Sequence, residues 1–166
     1  MELFFNHKGQ MFSFDTAAPI DISLGIKRNN VGVNCFFTER PQFIPYQAGS
    51  FTGSVAAGGA CNVDVISFTP HGNGTHTECI GHINSKGRTI PETLRNSHVL
   101  CSVISATPLQ VSDDRVITLE MVMQAQIGDG IEAVAVRTLP NLNKESFDYS
   151  GTNPAYFAPD ALKWLN

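Results

Sequence analysis

Between residues 71 and 82 the chain reads HGNGTHTECIGH, with three of its five histidines and one glutamate set among Gly72, Gly74 and Gly81. This stretch restricts the backbone more than any other. In a regular helix Glu78 and His82 would share a face at i and i+4, but His76 and His82, six positions apart, would turn to different faces. In an extended strand His76, Glu78 and His82 would share a side, yet the two histidines would lie about 20 Å apart at ~3.3 Å per residue. A chain that uses these side chains together must curl, as glycine permits, or Glu78 must bridge two ions with a histidine at each.

Imidazole nitrogen and carboxylate oxygen are ligands for Zn, Mn or Fe. The expected ligand set is His71, His76, Glu78 and His82, and the expected ion Zn2+ or Mn2+. A second arrangement takes His76, Cys79 and His82, at i, i+3 and i+6, as ligands of a closed structural zinc with a fourth ligand elsewhere. Other chemistries find less support. Gly59 and Ala60 stand where a phosphate-binding loop needs Lys and Ser or Thr, and Gly49-Ser50-Phe51-Thr52-Gly53 misplaces the serine of a G-x-S-x-G nucleophile.

With 166 residues, 42% hydrophobic and 16% charged, the chain suits one globular domain over 1–166 and is far from the composition of disorder. Its net charge of -4, with 11 Lys and Arg that never cluster, argues against a nucleic-acid partner. No window approaches the ~18 apolar residues of a membrane span, and the start MELFFNHKGQMFSF is not a secretory signal. Cys35, Cys61, Cys79 and Cys101 form no Cys-x-x-Cys pair, which predicts reduced thiols and a cytoplasmic location.

Period-two alternation predicts strands at residues 20–26 and 63–67, the second delivering the chain to Pro70 and the histidines. Residues 29–45 read as a long loop carrying Phe36, Phe37 and Phe43, aromatics expected to pack into the core. Residues 99–106 predict a buried strand. Thr118 is placed to cap a helix ended by Gly128-Asp129-Gly130, a strand follows at 133–138, and Pro159-Asp160 suits the first turn of a last helix. A helical stretch over 91–96 leaves His98 on the surface.

The cluster resembles the pattern H-x-G-T-H-x-D-x-P-x-H of the metal-dependent cyclase family, which includes kynurenine formamidase and isatin hydrolase. Gly74, Thr75, His76 and His82 fit it in register. The resemblance extends through Asp21-Ile22-Ser23, Gly87-Arg88-Thr89, Thr118-Leu119-Glu120 and Ala158-Pro159-Asp160-Ala161. Glu78 stands at the family's Asp, Ile80 at its Pro, and His71 lies one residue before the first histidine. The family's later half usually adds a His and a Glu, whereas no histidine follows His98. The chain therefore resembles the N-terminal portion of a family member.

The resemblance implies an α/β fold with a mixed, barrel-like β-sheet and flanking helices, assembled as a homo-oligomer. It implies hydrolysis of a small-molecule formamide or cyclic amide by metal-activated water, with His71 open to two roles, ligand or proton carrier to the leaving nitrogen. With the later ligands missing, weak turnover is expected of this chain by itself. The rival expectation is a noncatalytic metal-binding or assembly module.

Overall fold

The computed structural model describes residues 1–28, 31–141 and 146–166. In chain order these form β1 (Glu2–His7), β2 (Gln10–Asp15), β3 (Gln42–Pro45), β4 (Gln47–Ala48), β5 (Phe51–Thr52), β6 (Asp64–Ser67), α1 (Pro70–Asn73), α2 (Ile90–Thr93), β7 (Cys101–Ala106), β8 (Leu109–Val111), β9 (Asp114–Ile117), α3 (Leu119–Gln124), β10 (Ala133–Thr138), β11 (Tyr156–Phe157) and α4 (Pro159–Leu165). The content is mixed α/β in small sheets of two or three strands, and among the described residues none closes into a barrel. No helix of the described residues is long and apolar enough to cross a membrane.

The chain divides into two compact units, one made of Met1–Ile22, Glu78–Leu142 and Asn153–Asn166, the other of Ser23–Thr77 and Asn143–Thr152. In the first, β7 and β10 pair in parallel from Cys101 opposite Ala133 to Ala106 opposite Thr138. A parallel pair needs a crossover connection, and the chain between these strands carries the β8–β9 hairpin and α3. Strand β7 shows why alternation matters: Ile104 and Ala106 are buried, Ser105 between them is exposed, and Val103 before them is 74% exposed. The strand expected to be buried throughout is therefore half-buried.

Val122 of α3, Ile117 at the end of β9, Ala106 and Ala161 of α4 form the apolar cluster, flanked by Leu119, Val136, Phe157 and Leu165. Helix α3 follows Thr118 as expected, and α4 begins at Pro159, whose missing N–H is no loss in a first turn. The N-terminal hairpin of β1 and β2 was not anticipated. Its turn residues Lys8 and Gly9 both take positive φ, 49° and 84°, the two-residue geometry that matches strand twist.

In the second unit β3 pairs with β6 in antiparallel register, Phe43 opposite Ile66, so β6 does deliver the chain to Pro70. Three expectations fail over residues 20–45. The end of the stretch read as a loop over 29–45, of which residues 29 and 30 lie outside the described residues, is strand β3, paired with β6. Residues 20–26 are not a strand: Ile20 and Ile22 are exposed, and the Leu24 amide donates to the Thr75 hydroxyl instead of to a sheet partner. Phe36 and Phe37 are not core residues. Both lie in the left-handed region, at φ 58° and 54°, in a tight turn that leaves them 75% and 80% exposed.

Candidate metal centre

The four expected ligands fall into two pairs, one in each unit. His71 and His76 belong to the unit of Ser23–Thr77, Glu78 and His82 to the other. His71 rides on α1, a single turn opened by Pro70. His76 follows in extended chain, and the two rings meet edge to face with centroids 4.9 Å apart. His76 Nδ1 lies 3.0 Å from the Gly74 carbonyl oxygen. A carbonyl can only accept, so Nδ1 is the donor in this contact.

Glu78 and His82 are joined by a 3-10 turn over Ile80–His82, closed by the His82 amide on the Cys79 carbonyl at 2.9 Å. The turn sets His82 Nε2 3.9 Å from Glu78 Oε2, with both side chains about half exposed. That separation is too long for a direct hydrogen bond. It is near the ~3.3 Å between two donor atoms that each lie about 2 Å from a tetrahedral ion. Each pair is thus shaped by a local device, a one-turn helix at His71 and a 3-10 turn at His82.

Glycine allows the second device to pack tightly. A Cβ at Gly81 would come 2.7 Å from the Arg88 carbonyl oxygen, and one at Gly87 would come 2.7 Å from the Gly81 nitrogen. The Cys79 thiol donates to that same Arg88 carbonyl at 2.7 Å. Of the other histidines, His98 is exposed and stacks on Phe14 with ring centroids 5.5 Å apart, as a surface residue would.

A residue the sequence reading passed over organises the first pair. Asn73, within the glycines of HGNGTH, is 1% exposed. Its Oδ1 accepts from the Thr69 amide at 2.7 Å, and its Nδ2 donates to Asn34 Oδ1 at 2.9 Å and the Glu39 carbonyl at 3.2 Å. The Thr69 amide can only donate and the Glu39 carbonyl can only accept, so the orientation of the Asn73 amide is fixed by its partners. Asn34, 4% exposed, donates in turn to the Thr38 carbonyl at 3.2 Å. Polarity between two glycines was the available signal, but it does not distinguish a buried hub from a turn residue.

Of the neighbouring thiols, burial first and the Asp148 carboxylate second push Cys35 above the usual range, which keeps it protonated. All four cysteines are free thiols.

A family model described as "Putative cyclase" matches residues 20–166. No curated protein and no solved structure matches the chain.

Proposed function

The chain belongs to the cyclase family, and from that premise we propose that it is a metal-dependent hydrolase of a formamide or cyclic amide. The observation that carries this reading is the register of Gly74, Thr75, His76 and His82 with the family pattern, with Glu78 at its carboxylate position. The proposed ion is Zn2+ or Mn2+, taken by His71, Glu78 and His82, each offering one donor atom, and by His76 through Nε2. Three imidazoles and one carboxylate fit either ion.

A bound ion of this kind would lower the pKa of a water to about 7 and polarise the substrate carbonyl. The chain's own residues supply orientation and charge. The Gly74 carbonyl holds the His76 ring, the 3-10 turn holds His82 beside Glu78, and Glu78 offsets part of the cation's charge. His71 is proposed as a ligand. Its other expected duty, passing a proton to the leaving nitrogen, would need it off the ion, and a His71→Ala variant that keeps its metal but loses turnover would assign it that duty.

The family match over residues 20–166 takes in residues of both compact units, which supports the proposal that 1–166 is a single cyclase-like domain; a barrel-like sheet is the architecture that the family suggests for it. A small-molecule substrate, a homo-oligomeric assembly and a cytoplasmic site of action complete the proposal.

Elemental analysis at neutral pH, after purification without chelator and reconstitution with zinc or manganese, should find close to one ion per chain; less than about a tenth refutes the reading. His76→Ala should lose that ion and His98→Ala should keep it. Turnover of a formamide and a lactam across a dilution series then tests the assembly: rates per chain that fall on dilution support a site completed in an oligomer.

A further inference from the structure

We infer that Asn73 is a positioning residue for His71, setting the donor in place without touching the ion; this rests on the metal reading above. Helix α1 is four residues long, too short to hold its own geometry in water. Something outside the turn must fix where His71 points.

Three observations identify what does. First, Asn73 is buried at 1% exposure, which is costly for an amide unless its polar atoms are satisfied, and they are. Second, its partners lie on separate stretches of chain: Thr69 just before the turn, and Asn34 and Glu39 in the preceding loop. One side chain thereby closes the turn and ties it to that loop. Third, the turn sits directly against the loop, because a Cβ at Gly72 would collide with the Thr38 side chain. At ~100° per helical residue, positions 71 and 73 face roughly opposite directions. Anchoring Asn73 inward therefore presents His71 outward.

The test is a titration with Co2+ at neutral pH, followed by its visible spectrum, on wild type, Asn73→Ala, His71→Ala and the double variant. Asn73→Ala should bind about 10- to 100-fold more weakly, the range for loss of a residue that orients a ligand. At saturating Co2+ its spectrum should lose intensity as that of His71→Ala does, because a ligand is lost or displaced. In the His71→Ala background the Asn73 change should add less than about threefold, since Asn73 acts through a ligand already gone.

A folded Asn73→Ala with wild-type affinity and spectrum overturns the inference while leaving the metal reading intact. An equal further loss in the His71→Ala background also overturns it, because that marks general destabilisation. Should Asn73→Ala not fold, Asn73→Asp and Thr38→Val carry the same outcomes. Asp keeps the acceptor for the Thr69 amide and loses the donor toward Asn34 and Glu39; Val removes the hydroxyl packed against Gly72. Wild-type protein that binds no Co2+ overturns both the inference and the reading beneath it.

Discussion

In the unit that contains β7 and β10, the deepest side chains are apolar, with Ile117, Val122 and Ala161 each at 2% exposure or less. In the unit that contains β3 and β6, two of the buried side chains among the described residues are amides, Asn73 at 1% with Asn34 at 4% beside it. Apolar burial is non-directional and tolerates changes of shape. A buried amide works only when each donor and acceptor finds a partner at the right angle, so it specifies one placement of the segments it joins. The first unit spends burial on cohesion. The second spends it on fixing the loop that carries His71 and His76.

The comparison is broken most directly by exchanging chemistry at the two buried centres. Asn73→Leu keeps the approximate volume but leaves the Thr69 amide and the Glu39 carbonyl without this partner, while Asn34 Oδ1 retains only the Thr38 hydroxyl at 3.2 Å. At about 1–3 kcal/mol per unsatisfied group, the loss should be about 3 kcal/mol or more. Val122→Ala removes two methyl groups from a fully buried site and leaves a cavity, which should cost about 2 kcal/mol. Urea unfolding of both variants checks the order. A larger loss from Val122→Ala would mean that the second unit does not depend on its polar hub.

A smaller effect sharpens the same point at the other ligand pair. Gly81→Ala would drive a Cβ to within 2.7 Å of the Arg88 carbonyl oxygen, whereas Gly128→Ala meets nothing within 4 Å. The first should cost about 1–2 kcal/mol and weaken metal binding through the turn that carries His82, while the second stays within about 0.5 kcal/mol. Equal stability and equal metal affinity for the two variants would show that tight packing against Arg88 does not hold the turn.

Alternation in the sequence located β6, and helix-boundary residues located the two helices, Thr118 before α3 and Pro159 with Asp160 in the first turn of α4. It misplaced residues 20–26, where the alternation is real but the Leu24 amide is claimed by Thr75 fifty-one residues away. It also missed the β1–β2 hairpin, whose signal was only a Lys-Gly turn. At the candidate site, the density of potential donor side chains in HGNGTHTECIGH was legible, and so was the break from any one regular element. The form of that break was not. A one-turn helix and a 3-10 turn are too short to leave a periodic trace, and the partners that hold them, Asn34, Thr38, Glu39 and Arg88, lie outside the motif.

The smallest expected effect concerns acid, and it again sets one unit beside the other. Glu92 accepts from the Thr89 backbone amide and hydroxyl, both at 2.8 Å, and these bonds hold its carboxyl below the usual range. Asp148 is held low first by the Ser150 hydroxyl and amide, then by Asn34 and Arg40. For a carboxyl whose folded pKa lies below its unfolded value, the stabilisation is complete above the unfolded pKa, about 4, and is lost as pH falls through the folded one. Both groups are exposed to solvent, so each contribution is small. They should differ in kind, however. Glu92 caps a local turn, whereas Asp148 lies in the strand bridge opposite Asn34, the residue on which Asn73 leans. Urea midpoints measured near pH 7 and about pH 3.5 should therefore draw closer together in both Glu92→Gln and Asp148→Asn, because the protonation-linked loss has been removed. Only Asp148→Asn should also weaken Co2+ binding at pH 7, by disturbing Asn34 and through it the turn of His71. An Asp148→Asn variant with unchanged metal affinity would confine the polar hub to Asn73 and its direct partners.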